Sequence, residues 1–389
     1  METNTIETAR KNLLTVEKKL NELVIGHEDF IRALMLSVVA GEHLVVIGAP
    51  GTAKSYAIRT LSILLEAKFY SYLLTRFTSY DELFGTIDVA ELAKSGTFKR
   101  NWSKIIDSDF IFLDEIFKAN SAILNSLLSI LQERIVYDPI TGQPLQASVH
   151  TCVGASNEVP EDPELLALYD RFAVKVFVDY IDNDALILRA LQARWLNNHN
   201  SLPLATMQDV KILNNYAEKL ITARIKELGE VYKLYHINTV PLVKSLRSQG
   251  VIVSDRTIIE KLPKLFTAYL ALYGVTIDNV MNAVFDIITY TARSKEEVTT
   301  IRKAIDDSLG EVAELAKKLE KAREFVKAGN LSQAKSVLAE IINTDINTLA
   351  SKTPWLKPRV EAIVSNASQL LKNIQSIEEQ ISRLAGETQ

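Results

Sequence analysis

The 389 residues contain a single cysteine, Cys152, which excludes an intrachain disulfide framework and a thiolate metal cluster. Its apolar surroundings, Thr151-Cys152-Val153, predict a small buried side chain rather than a nucleophile. An excess of one charge is lacking as well. Forty-four Lys and Arg against 48 Asp and Glu leave a net charge of −4, so nothing electrostatic calls for nucleic acid. No apolar stretch reaches the ~20 residues that span a bilayer. The opening Met1-Glu2-Thr3-Asn4 lacks the apolar core of a secretory signal, so a soluble, cytoplasmic protein is expected. The composition, 47% apolar and 24% charged, is that of a globular chain, and the length leaves room for two or three domains.

One stretch organises the rest. His43 to Ile47 reads as a short buried strand, followed by Gly48-Ala49-Pro50-Gly51-Thr52-Ala53-Lys54-Ser55 and a helix opening at Ser55-Tyr56-Ala57. Backbone N–H groups of such a turn, with the positive end of the helix, form a cradle for phosphate oxygens. Lys54 is placed to reach the β and γ phosphates of ATP, and the Ser55 hydroxyl to take one position on Mg²⁺. The pattern asks for Gly before the Lys, where this chain has Ala53. Because a Cβ resists positive φ, Ala53 is expected to adopt helical dihedrals at negative φ.

Ahead of the loop, amphipathic spacing predicts helices over residues 5–23 and 28–40. The intervening turn Ile25-Gly26-His27 is positioned to lay backbone against an adenine. Downstream, Asp109 to Glu115 is a buried strand with two carboxylates at its C-terminal end, the end where parallel sheets bind ligands. That location suits Asp114 to Mg²⁺ and Glu115 to a general base for the attacking water. A further buried strand, 151–156, ends at Asn157, which is placed to orient that water. Arg171 precedes the strand 173–178 at a sheet edge, where a guanidinium reaches a nucleotide on a neighbouring subunit. Between these elements, Ile116 to Arg134 reads as one long helix, and 135–149 as a hairpin. Residues 86–100 read as a projecting hairpin tipped by Phe98, Lys99 and Arg100.

Residues 181–294 carry helical spacing over 185–197, 206–228, 240–249, 256–273 and 278–293. Ser254-Asp255-Arg256 opens one of these helices, and Arg256 is placed as the arginine of a lid closing on the γ-phosphate. After residue 295 two long heptad-like runs flank a short helix, 331–342, and the break Thr353-Pro354-Trp355. The simplest arrangement is an antiparallel helical hairpin, with Ser308 and Ala367 as small seam residues.

These stretches, with Leu166 to Phe172, Arg76-Phe77 and Glu82 to Gly85, resemble the MoxR branch of AAA+ ATPases, and most of all its RavA subgroup, which also has Ala before the loop Lys. The resemblance covers residues 10 to 290. It implies an α/β nucleotide-binding core (1–180) and a helical lid (181–294), and the heptad spacing beyond them gives a coiled-coil-like arm (295–389), a long-helix hairpin or a triple-helical arm. Lys54 and Ser55 correspond to Walker A, Asp114 and Glu115 to Walker B, Asn157 to sensor 1, Arg171 to the arginine finger and Arg256 to sensor 2. It further implies ATP and Mg²⁺ as ligands, a hexameric ring, chaperone-like remodelling and a partner with a von Willebrand factor A domain. Only about thirty residues separate the long arm helices, so the small β-rich domain that interrupts the arm in RavA-like proteins is expected to be missing. Two other classes share these features: a DNA-linked motor or metal-chelatase subunit, and a slow ATP-gated docking scaffold.

Overall fold

A computed structural model describes residues 2–196, 202–222, 229–327, 330–346 and 357–386. The chain opens with α1 (Glu2–Leu23) and α2 (Glu28–Ala40) and enters β1 (Leu44–Gly48), α3 (Lys54–Leu64) and β2 (Phe69–Leu73). A short excursion follows: α4 (Tyr80–Phe84), β3 (Gly85–Ile87), α5 (Val89–Ser95) and β4 (Arg100–Trp102). Then come β5 (Phe110–Asp114), α6 (Ser121–Glu133), the hairpin β6 (Ile135–Tyr137) and β7 (Pro144–Gln146), β8 (Thr151–Ser156), α7 (Pro163–Tyr169) and β9 (Val174–Val178). The described residues beyond β9 hold α8 (Asp184–Leu196), α9 (Met207–Thr222), α10 (Gly229–Ser248), α11 (Leu262–Tyr273), α12 (Ile277–Thr289), α13 (Lys295–Lys327), α14 (Leu331–Ile342) and α15 (Lys357–Gly386). Among the described residues no helix is long and apolar enough to cross a membrane.

The central sheet is parallel throughout, in the order β2-β5-β8-β1-β9. Its inner strands are short continuous apolar runs because both faces are covered, and every residue of β1 and β8 is buried. Gly48 ends β1 for a steric reason. A Cβ there would lie 2.2 Å from the Val178 carbonyl oxygen of β9, so any side chain would force the two strands apart. Cys152 is buried within β8, and desolvation pushes its thiol up to about 12, which removes it as a nucleophile.

The contacts group the chain into two compact units. The first comprises residues 1–229, 252–275 and 286–298; the second comprises 230–251, 276–285 and 299–389. In the second unit, Val312, Leu315, Leu319 and Ala322 of α13 share one core with Ala334, Leu338 and Ile341 of α14 and Val360, Ile363, Ala367 and Ile374 of α15. Of the two arrangements expected for the arm, a long-helix hairpin or a triple-helical arm, this shared core is the triple-helical one. The short helix supplies apolar side chains at i, i+4 and i+7 to that core, and α13 is kinked at Gly310. The expected Thr353-Pro354-Trp355 break and the end of the 206–228 helix lie outside the described residues.

Two local expectations are corrected. Residues 116–134 do not form one helix. A 3₁₀ turn at Ile116–Lys118 is followed by a separate α6, whose N-cap Asn120 accepts from the Ile123 N–H at 3.1 Å and donates to the Thr78 carbonyl at 2.8 Å. Arg100 is not at a hairpin tip. Its guanidinium is buried, with Nε donating to Asp138 Oδ2 at 2.8 Å and Nη1 bonding both Asp81 and the Gly85 carbonyl. The rings of Tyr80 and Trp102 lie 4.9 and 5.8 Å from its charge, so this one arginine ties the β3–β4 hairpin to the β6–β7 hairpin. Phe98 and Lys99 do remain exposed.

Burial alone would raise the Asp138 carboxyl. Hydrogen bonds from Arg100 and from the Ile140 and Thr141 N–H groups outweigh it and hold the group below the usual carboxylate range. Such a group stabilises the fold above its unfolded pKa, and that contribution is lost as pH falls through the depressed folded value. Asp138→Asn should cost about 2 kcal/mol at neutral pH, the worth of a hydrogen bond to a charged group, since Arg100 keeps Asp81 and the Gly85 carbonyl. It should also flatten the loss of stability below about pH 4. Urea denaturation at stepped pH checks both, and an unchanged acid limb would remove Arg100–Asp138 as the node joining the hairpins.

Candidate nucleotide site

Because β1, β8 and β5 run parallel, their C-terminal ends open on one edge of the sheet. Ile47 lies opposite Ser156, and Leu113 opposite Gly154, so the loop after β1, the carboxylates after β5 and Asn157 after β8 emerge side by side. They enclose a cavity of about 330 Å³ lined by Pro50 through Tyr56 with Asp114, Glu115 and Asn157. Gly48 and Ala49 lead into it from β1.

The loop departs from expectation at Ala53, which sits in the left-handed region at φ +59°, ψ +15°, and not at negative φ. Gly51 is also left-handed, at φ +83°. With Pro50 fixed between them and β1, two positive-φ positions are what turn the chain tightly enough for α3 to begin at Lys54. Thr52, buried, closes the turn by donating to the Ala49 carbonyl at 2.9 Å, and Tyr180 donates to the Pro50 carbonyl at 3.1 Å. Neither residue's contribution follows from the glycine spacing.

Lys54 is folded back and donates to the Gly48 and Ala49 carbonyls. Burial lowers its pKa, while the charges of Asp114 and Glu115 act in the opposite direction. Glu115 is left-handed too, at φ +52°, which swings the chain off β5 into the 3₁₀ turn. Its Oε1 accepts from Asn157 Nδ2 at 2.8 Å and meets Lys118 Nζ at 3.3 Å. Lys118, three residues along a tight turn, was not singled out by sequence reasoning, although its spacing carries the signal. A second cavity of about 440 Å³, reaching Phe117, Lys118 and Glu158 to Glu161, shares Glu115 and Asn157 with the first.

The remaining sequence-derived positions lie apart from the cavity lining. Arg171 follows α7, and the Gln132 amide, oriented to offer its carbonyl, accepts from Arg171 Nη2 at 3.0 Å. Arg256 pairs with Glu260 at 2.9 Å, four residues on, and the neighbouring Ser254 hydroxyl accepts from the Thr257 N–H as a cap. Ile25 is buried, Gly26 turns at φ +81°, and His27 stands at the N-terminus of α2, its pKa lowered by burial. A Cβ on Gly26 would lie 3.2 Å from Ile181, the residue after Tyr180, so this turn and the phosphate-type loop flank the same segment beyond β9.

A parallel β2-β5-β8-β1-β9 sheet with a glycine loop after β1 and paired carboxylates after β5 is the α/β AAA+ fold. The chain belongs to the MoxR family: residues 11–217, more than half of its length, match the MoxR domain of the MoxR-vWA-beta-propeller ternary systems. An uncharacterized protein of Methanocaldococcus jannaschii is 36% identical over 62% of this chain and 61% of its own length. The chaperone MoxR1 of Mycobacterium tuberculosis is 23% identical over 43% of this chain and 45% of its own. The chain thus spans about three fifths of the first relative and under half of the second. A crystal structure of an ATPase candidate from Cytophaga hutchinsonii shares the fold, with a TM-score of 0.58, 21% identity, and coverage of 78% of this chain and 96% of that one.

A left-handed Ala carries about 1–2 kcal/mol of steric cost, against about 0.5–1 kcal/mol of backbone entropy for Gly. Ala53→Gly should therefore stabilise the protein by about 0.5–1 kcal/mol, read by thermal unfolding. A fall in stability would show that residue 53 does not hold positive φ.

Proposed function

We propose that the chain hydrolyses ATP at the interfaces of a hexameric ring and uses the cycle to remodel a partner protein in a chaperone-like manner. The observation that carries the proposal is the cavity in which the loop, Lys54, Asp114, Glu115 and Asn157 meet, with Asn157 bonded to Glu115. Lys54 exchanges its carbonyl partners for phosphate oxygens, and the loop N–H groups complete the cradle. Glu115, once free of Lys118 and Asn157, takes a proton from the attacking water, and Asn157 orients that water. Arg171 of one subunit stabilises charge developing on the γ-phosphoryl group of its neighbour, and Arg256 acts from the lid side.

Among the described residues no group of three or more His, Cys, Asp or Glu gathers to hold an ion. Mg²⁺ nonetheless suits Ser55 and Asp114, because it needs only one or two protein oxygens when phosphates and water fill the rest of its shell. When bound it neutralises phosphate charge.

The family match to ternary systems containing a vWA component supports a partner with that domain, and the name of the mycobacterial relative supports a chaperone role. Ala53 before Lys54 and the helical arm support a RavA-like placement. A core at 1–180, a lid at 181–294 and an arm at 295–389 remain the functional division we favour, at work in the cytoplasm.

Glu115→Gln should retain ATP binding and lose turnover by roughly 10²-fold or more, measured by phosphate release alongside binding of a fluorescent ATP analogue. Rapid hydrolysis by this variant would sink the assignment of the base. Arg171→Ala should also lose turnover, and mixing it with Glu115→Gln should restore activity at those interfaces where the two intact residues meet. Absence of any rescue would remove action between subunits.

A further inference from the structure

The loop that carries Arg171 is held from below by buried cations that no part of the proposed reaction uses. Helix α7 ends at Tyr169, so carbonyls in the following turn lack helical partners. Lys261, a residue only 8% exposed, bonds the Asp170 carbonyl at 2.5 Å and the Phe172 carbonyl at 3.4 Å through its ammonium. These are the carbonyls immediately before and after Arg171. Lys175 of β9 donates to the same Phe172 oxygen at 3.4 Å, with its charge 5.1 Å from the Tyr169 ring. Tyr169 and Asp170 are fixed in turn by the Arg293 carbonyl at 3.0 Å and the Arg293 guanidinium at 2.6 Å.

The register of Lys261 has a local cause. Pro263 has no N–H and its ring crowds the preceding turn, and the chain widens there into a π turn, Thr257–Lys261, closed by the Leu262 N–H on the Thr257 carbonyl. That turn begins directly after Arg256. One wide turn therefore connects Arg256 to the backbone under Arg171. The electrostatics agree with this crowding. Burial, then the charges of Arg256 and Arg171 among others, lowers Lys261 to about 8, and burial with the charge of Lys261 lowers Lys175 to about 7. A buried ammonium is costly where a methionine would fill similar space. Here that ammonium sits against the carbonyls on either side of one arginine.

We propose that Lys261 is a positioning residue for Arg171: by gripping the carbonyls of Asp170 and Phe172 it sets the backbone from which that guanidinium projects. The proposal rests on the reading of Arg171 as the group that acts on a neighbouring nucleotide. Lys261 touches no nucleotide and contributes nothing to binding it. Its loss misplaces the arginine while leaving the cavity of its own chain intact.

The test compares Lys261→Met, Lys261→Gln, Arg171→Ala and the double variant Arg171→Ala/Lys261→Met as full-length assembled protein. Turnover is measured with affinity for a fluorescent ATP analogue and a thermal melt. Lys261→Met should lower kcat by roughly tenfold to 10²-fold with nucleotide affinity unchanged. Lys261→Gln, which keeps a neutral donor, should fall less, and it provides the same reading if the Met variant does not fold. The double variant should be no slower than Arg171→Ala alone, because both changes act on one group. Wild-type kcat in folded Lys261 variants, a parallel loss of affinity, or additive losses in the double variant would each overturn the proposal. Wild-type turnover by Arg171→Ala is a separate outcome: it overturns the reading of Arg171 itself, and the role of Lys261 with it.

Discussion

Parallel pairing of β8 with β1 on one side and β5 on the other is the constraint on which the site depends. Both faces of β8 are buried, so a slip of one residue would exchange its two sets of side chains and carry Asn157 away from Glu115. Close packing reinforces the register. A Cβ at Gly154 would lie 3.0 Å from Ile116 and 3.2 Å from Phe172, so a larger residue would oblige those two side chains to shift by a few tenths of an ångström. The same contact packs the core and bears on the turns where the candidate base and the candidate finger leave the sheet. Local sequence, sheet register and chemistry meet at that point.

Within the cavity, the charged groups are satisfied separately. Lys54 is turned onto the carbonyls of its own loop, and Glu115 is held by Asn157 and Lys118. These two restraints on Glu115 are unequal. The Lys118 side chain is 60% exposed, so the ion pair is worth at most about 1 kcal/mol and is screened by salt. Asn157 is exposed too, but it follows a fully buried strand and meets Glu115 at the shorter distance, 2.8 Å. Release of Glu115 therefore involves Asn157, which ties the carboxylate to whatever next engages that amide.

The sheet was legible because parallel strands buried on both faces write themselves as short apolar runs, and the loop, carboxylates and Asn157 were legible because their chemistry dictates residue type and spacing. Three features were not. The sign of φ at Ala53 depends on the closure of the whole turn, including Thr52 and Pro50, and intrinsic preference for a Cβ-bearing residue pointed the other way. Arg100 was expected at a tip because a Phe-Lys-Arg run beside a turn signal reads as surface, but its partners Asp81 and Asp138 come from 19 residues before and 38 after. The choice between a hairpin and a triple-helical arm stayed open because a twelve-residue helix between two long heptad runs can be a connector or a core member until its Ala334, Leu338 and Ile341 are seen to share their core. Long-range partners decided each case.

The two arginines outside the cavity differ from the residues inside it in how they are held. Among the described residues the Arg256 side chain pairs with the exposed Glu260 one turn away, an interaction worth about 0.3–0.5 kcal/mol. Arg171 is held at its guanidinium by a neutral amide, while the backbone on either side of it is anchored by Lys261, Lys175 and the Arg293–Asp170 pair. A weakly held head on a firmly held base suits a charge whose working partner lies beyond its own chain. A head that is easily released can move to a developing negative charge at little cost, and a rigid base limits where it can go. Pro263 enters this account through the π turn, because that turn brings Lys261 under Arg171 and places Arg256 immediately before it.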